Sequence, residues 1–282
     1  MEDASKSANR SVSRALKVLQ AINRHGSLSM MQIAKMAELP YPTTCRLVNT
    51  LVAEGVIEQE ILRKYYRPTA LAQSLSCGYQ THSRMTTIAR QYIQELTCKT
   101  GWPVAISSRV GAHMVIQEST HALTTLTFSE YTPGFSLPIL CCASGLAYMA
   151  HIEEAARADI IKQIDFDKVD NPAASIIEDR GESYFEAIRE HGYAFYVRNP
   201  HTKDPGKTSS IAMPVFNGNE VAGAIALSFF SKALHVDDAY KKFAEPMADA
   251  QRKISRDLKE IRLFKPGEVR LADTGLAISE SP

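Results

Sequence analysis

Between residues 39 and 53 the chain carries no aspartate or glutamate. At helical spacing Thr43, Arg46 and Thr50 fall on one side there, with Asn49 on the flank. Hydroxyls, an amide and a guanidinium are the donors and acceptors that read base edges in a major groove. Tyr41, Pro42 and Thr44, in the first turn of the same segment, complete this candidate contact set, although Thr44 also opens the opposite apolar stripe of Val48, Leu51 and Val52. Arg63, Lys64 and Arg67 follow as a second cationic group, and Arg10 and Arg14 precede both. Such charges oppose a phosphate backbone.

Other residues invite different chemistry and fail its tests. The run KDPGKTSS at residues 203–210 contains the G-K-T of a phosphate loop, but His201 stands where the first glycine must be. Five cysteines, Cys45, Cys77, Cys98, Cys141 and Cys142, form no C-x-x-C pair, which argues against a disulfide scaffold or zinc ribbon. His113, His121 and His151 lie on three separate elements without ligand spacing, so no metal and no cofactor is expected. An enzyme acting on a small organic acid is the alternative from a different class. It needs a positioned acid/base pair or nucleophile, and no such constellation is legible. The small residues Cys142, Ala143 and Ser144 before a helix instead leave room, and unpaired N–H groups, for an anion.

The cationic face has to be held by a helix pair. Ser29 is expected to cap a first helix carrying Ile33, Ala34 and Ala37, and Leu39-Pro40-Tyr41-Pro42 stops it. Pro42 suits the first turn of the second helix, which Gly55 ends. Residues 56–60 and 64–67 read as two strands around a cationic tip at Leu62-Arg63-Lys64. The unit is a winged helix-turn-helix. In front of it, Ser11 is expected to cap a helix through Arg24 with Val12, Ala15, Leu16, Leu19 and Ile22 facing the core. Residues 1–78 hold ten Lys/Arg against six Asp/Glu, and the remainder 22 against 25. The overall charge of +1 therefore conceals a basic N-terminal third.

At 282 residues, 45% apolar, the chain is long enough for two domains. It shows neither an 18-residue apolar run nor a charged-then-apolar leader, which sets the expectation of a cytoplasmic protein without membrane contact. Thr69 is expected to cap a short connecting helix punctuated by Gly78, and a longer helix spans residues 83–99. Beyond Gly101, residues 102–110, 113–119 and 123–128 read as three consecutive strands, and 192–198, 209–216 and 221–230 as three more. Helices are expected at 146–150, 153–164, 177–191 and 236–262, the last containing Pro246. Consecutive strands without strict alternation indicate an α+β domain with a mainly antiparallel sheet.

The run L-P-x-x-T-x-x-R-L at residues 39–47, L-x-x-E-G at 51–55 and Y-x-x-T at 66–69 resemble the IclR family of bacterial transcriptional regulators. So do L-P-x-x-x-x-A-S-G at 137–145, H-G-Y-A at 191–194 and S-I-A-M-P-V at 210–215. The resemblance spans roughly residues 10–262 and implies a mobile arm (1–9), a winged helix-turn-helix (10–68) and a linker helix (69–82). A GAF-like, profilin-like effector-binding domain (83–262) and a flexible tail (263–282) complete that layout. It also implies double-stranded operator DNA as partner, a homodimer or homotetramer, and RNA polymerase as a further partner for an activator. The effector contacts it implies are Cys142, Ala143, Ser144, Tyr196, Ser210, Ala226 and Ser228. Arg198 is placed to pair with a carboxylate, and Leu140 and Met149 to enclose a ring. Trp102-Pro103 and E-S-T-H at 118–121 are similar to the family's activators of 3-hydroxyphenylpropionate degradation, which implies an aromatic carboxylate.

Overall fold

A computed structural model of the chain describes residues 9–76, 83–127, 131–164, 177, 180–197 and 208–261. The expected arm before Asn9, the end of the connector at 77–82, Arg198, most of the 203–210 loop and the expected tail lie outside the described residues. The chain divides into two compact units, residues 1–83 and 84–282.

The first unit runs α1 (Arg10–His25), β1 (Leu28–Ser29), α2 (Met30–Met36), α3 (Tyr41–Ala53), β2 (Ile57–Gln59) and β3 (Tyr65–Pro68). Its core is Val18, Leu19, Ile22, Leu28, Ile33, Ala37, Val48 and Ile57. Asn9, not Ser11, caps α1, its Oδ1 accepting the N–H groups of Ser11 and Val12. An amide side chain one turn before the apolar stripe does what a serine two residues later was expected to do. Val12 and Leu16 are likewise corrected: both are more than half exposed, because the core contacts of α1 begin only at Val18. Ser29 caps α2 as expected, in a reciprocal box with Gln32. The two wing strands are joined by a third, β1, so the sheet order is β1-β3-β2, and Pro68 ends β3 as a paired residue. The connector begins as a 3-10 turn, Ala70–Ser76, started by Thr69 Oγ1, which accepts the Leu71 N–H.

The second unit contains α4 (Ser83–Thr100), β4 (Val104–Val110), β5 (His113–Ser119), β6 (Ser136–Pro138), α5 (Ala143–His151) and α6 (Glu154–Ile161). It continues with α7 (Glu182–His191), β7 (Ala194–Val197), β8 (Thr208–Asn217), β9 (Glu220–Phe230) and α8 (Val236–Ile261). Six strands form one sheet in the order β6-β5-β4-β9-β8-β7, with every pairing antiparallel. The expected third strand at 123–128 does not form in its described part. Buried Thr120 accepts the Val104 N–H and hydrogen-bonds Thr97, turning the chain into a 3-10 segment, and β6 takes the place beside β5.

Side-chain size differs sharply between the two faces of this sheet. On one face Ile211, Met213, Val215, Ile225, Leu227 and Phe229 pack with α4 and α8. On the other, Ser210, Ala212, Ala224, Ala226 and Ser228 alternate with them, and Ser210 pairs with Ser228 and Ala212 with Ala226. Alternation at period two therefore makes a thick layer on one side and a shallow one on the other. α5, α6 and α7 cover the shallow side around Leu140, Leu146, Met149, Ile160 and Phe185. The start of α5 lies close against the 3-10 turn Ile139–Cys141 that precedes it: a Cβ on Gly145 would lie 1.7 Å from the Ile139 carbonyl oxygen.

That contact generates a prediction. Gly145→Ala forces the turn away from α5 and destabilises the second unit by about 1–3 kcal/mol, the cost of overpacking. Urea denaturation of the full chain reads this as a lowered midpoint, and an unchanged midpoint contradicts the packing described.

Candidate functional site

Two regions bring the expected residues together. The first is the outer side of α3. Glu38 takes a left-handed φ of 55° and Pro40 opens the helix, so α2 and α3 meet at a sharp break. Arg46, Asn49 and Thr50 are exposed on α3, Thr43 is half-buried beside them, and Tyr41 and Pro42 are exposed at its start. The Thr50 hydroxyl donates to the Arg46 carbonyl (3.0 Å), which leaves its oxygen as an acceptor.

Thr44 is corrected. It is fully buried and its hydroxyl donates to the Pro40 carbonyl (3.2 Å), so it belongs to the core stripe and not to the outward face. The first turn of α3 presents three of its residues to solvent but rotates the fourth inward, as 100° per residue requires.

The hairpin β2–β3 carries Arg63 and Lys64 exposed at its tip. Ile61 and Leu62 beside them are also fully exposed, a pair of apolar side chains that composition reasoning passed over. Arg67 has a partner already: it pairs with Glu58 opposite it on β2 at 2.7 Å, in an exposed ion pair. Such pairs contribute little, so the arginine remains exchangeable to a phosphate. Arg10 and Arg14 are exposed on the first turns of α1.

The second region is a cleft of about 550 Å³, open solvent at its mouth included, on the shallow face of the large sheet. Cys142, Ala143, Ser144, Tyr196, Ser210, Ala226 and Ser228, which the sequence singled out, all line it. The side chain of the N-cap residue Cys142 makes no capping hydrogen bond to α5, whose N-terminus enters this cleft at Cys142 and Ala143. The first-turn N–H groups of an uncapped helix attract an anion. Ser144 Oγ donates to the Cys142 sulfur at 3.3 Å. Leu140 and Met149 are corrected: both are fully buried in the core under α5 and neither lines the cleft. Leu140 is next in sequence to the lining residue Cys141 and Met149 shares a helix with Ser144, but the 3-10 turn and the helix direct both into the core. Arg198 lies outside the described residues.

Ile116, Tyr131 and Leu137 add apolar and aromatic surface to the lining, His121 adds an imidazole, and none of the four was expected there. His121 is 8% exposed, and burial lowers its pKa from the ordinary imidazole value to about 4. Its ring meets Tyr131 edge-on at 5.0 Å, and Tyr131 meets Phe135 in the same way at 5.2 Å. The signal available in the sequence was the strand end at Ser119, which turns the next residues under the sheet. Reading 123–128 as a further strand hid that turn. Among the described residues no cluster of His, Cys, Asp or Glu could hold a metal ion, and no helix is long and apolar enough to cross a membrane.

A winged helix-turn-helix with a cationic recognition face, followed by an antiparallel-sheet domain with a small-molecule cleft, defines a ligand-responsive transcriptional regulator. Residues 11–60 match the IclR helix-turn-helix domain, and residues 77–256 match the bacterial transcriptional regulator IclR C-terminal domain. The chain belongs to the IclR family: a DNA-binding regulator with an effector-binding domain.

Among curated proteins, the HTH-type transcriptional regulator BhcR of Paracoccus denitrificans is 24% identical over 255 residues, covering 88% of this chain and 86% of that protein. An HTH-type regulator of Haemophilus influenzae is 25% identical over 235 residues, covering 81% and 85%. The IclR-family regulator of Brucella abortus superposes with a TM-score of 0.60 at 23% identity, over 92% of this chain and 96% of that one. An IclR homolog from Microbacterium hydrocarbonoxydans, solved with 4-hydroxybenzoate, gives 0.62 at 18% identity, over 89% and 99%. These two structures share the fold.

Arg46→Ala is expected to weaken binding to a duplex selected by this protein from random sequence, by about 1–3 kcal/mol in a gel-shift titration. Thr44→Val is expected to leave DNA affinity unchanged and to lower stability alone, by about 1 kcal/mol for the lost buried hydrogen bond. Unaltered affinity of the Arg46 variant, or a DNA defect in a folded Thr44 variant, contradicts this assignment of faces.

Proposed function

We propose that this regulator binds a small aromatic or arylalkyl carboxylate in the cleft beneath α5 and controls genes for the catabolism of such an acid. The observation that carries the proposal is the pairing, in one cleft, of an uncapped helix N-terminus with an apolar and aromatic lining. The helix end supplies N–H donors for a carboxylate, and Ser210 or Ser228 adds a hydroxyl. Ile116, Leu137, Tyr131 and Tyr196 supply the surface against which a ring lies. Ligand sites commonly combine such a lining with a few placed polar groups. The neighbour of the same fold that holds 4-hydroxybenzoate supports an aromatic acid over an aliphatic one.

In this reading residues 10–68 bind operator DNA through Arg46, Asn49, Thr43, Thr50, Tyr41 and Pro42, with Arg10, Arg14, Arg63, Lys64 and Arg67 on phosphates. Residues 69–82 connect this module to the effector domain at 83–262. One winged helix makes few phosphate contacts, so the functional unit is a homodimer or homotetramer reading a two-fold operator. An activator of this kind also meets RNA polymerase. The protein acts in the cytoplasm, where its operator is.

Calorimetry on the full chain with 3-phenylpropionate, 3-(3-hydroxyphenyl)propionate and 4-hydroxybenzoate tests the ligand class. At least one is expected to bind, and at 100 times its Kd to stabilise the protein by about 2.7 kcal/mol. Ser144→Leu fills the mouth of the cleft and is expected to abolish binding without unfolding the domain. Binding that survives this substitution places the site elsewhere, and silence of all three acids refutes the aromatic reading.

A further inference from the structure

One buried polar atom in the cleft has no hydrogen-bond partner among the described residues. His121 lines the cavity, is more than nine-tenths buried, and its Nε2 meets no hydrogen-bond partner among the described residues. The other ring nitrogen is engaged: Nδ1 shares a hydrogen bond with Ser119 Oγ. That hydroxyl oxygen also accepts the His121 backbone N–H at 3.2 Å.

The tautomer follows from these two bonds. Ser119 Oγ uses one lone pair to accept the backbone N–H, and no other acceptor among the described residues takes its proton. Donating that proton to Nδ1 satisfies both groups. Burial keeps the ring neutral, so it carries a single N–H, and with Nδ1 accepting, that N–H is on Nε2. The edge-on contact with Tyr131 holds the ring plane, and the bond to Ser119 fixes its rotation. A pre-oriented donor is thus buried in a ligand cavity without an acceptor, a costly state for a polar group.

We propose that His121 is a specificity-determining residue: the effector carries a second oxygen acceptor besides its carboxylate, and His121 Nε2–H selects acids that have it. The inference rests on reading the cleft as an acid-binding pocket and adds the chemical class of the ligand's other end, a phenolic, hydroxyl or carbonyl oxygen. An acid lacking that oxygen leaves the donor desolvated and unpaired in the complex, and sites built around a polar partner reject such analogues strongly.

Matched pairs of acids test it on the full-length protein by calorimetry. The first pair is 3-phenylpropionate and 3-(3-hydroxyphenyl)propionate, and the second is pentanoate and 4-oxopentanoate. Within a pair that binds, the oxygenated member is expected to bind at least about tenfold more tightly. His121→Phe removes the preference by weakening that member alone, and His121→Asn, which keeps an N–H donor, restores part of it. Nitrogen-15 NMR of the free protein is expected to show His121 as the neutral Nε2–H tautomer, a readout that stands even where the Phe variant fails to fold. A preference that persists in His121→Phe, or an Nδ1–H tautomer, overturns the proposal. A silent aromatic pair, with 4-hydroxybenzoate silent as well, and a His121-dependent preference in the aliphatic pair refute the aromatic reading and uphold the donor. Aromatic binding with no preference does the reverse, and no binding by any of the four acids or by 4-hydroxybenzoate overturns both.

Discussion

The effector domain depends on a one-sided restriction of side-chain size. Positions 210, 212, 224, 226 and 228 are all serine or alanine, while their neighbours at 211, 213, 225, 227 and 229 are all large and apolar. The large set fastens the sheet to α4 and α8. The small set leaves depth on the opposite face, which α5 closes at one end and which remains open as the cleft at the other. Closing that face also requires α5 to touch the turn before it, which only glycine at 145 permits. Enlarging any member of the small row therefore trades cavity for core, and the position of the helix N-terminus goes with it.

Much of this was legible because β-alternation and helical periodicity are local properties. The apolar stripe of α3, the break at Leu39-Pro40 and the hairpin were readable from residue type alone, as were β8 and β9 to within a residue or two. Errors arose where a distant partner decides the outcome. Val12 and Leu16 have the right spacing for a core face, but both stay more than half exposed and outside the core cluster of the described residues. Residues 123–127 have β-forming composition, yet Thr120 is held by Thr97 and Val104, and the strand is replaced by a turn. Thr44 shows the same limit at the scale of one residue: residue type places it both in the apolar stripe and in the contact set, and burial with its hydroxyl on the Pro40 carbonyl decides for the stripe.

The cleft was half legible. Small residues at the helix start pointed to it from residue type, and the family resemblance added the positions on β7, β8 and β9. His121 was not, since its role depends on burial by Tyr131 and on a hydroxyl two residues away. Leu140 and Met149 were misplaced for a related reason. Proximity in sequence to a pocket residue says nothing about the side of the turn to which a side chain is directed.

Under the proposed function, an acid in the cleft changes the affinity of the N-terminal domain for DNA. A ligand that binds both functional states equally shifts nothing, so the claim requires a measurable coupling that is equal in both directions. The direct test is to measure the Kd of the protein for its selected duplex with and without saturating acid, and the Kd for the acid with and without saturating duplex. The same factor is expected in both, on the order of 5–150-fold. Acid binding that leaves DNA affinity unchanged would contradict it.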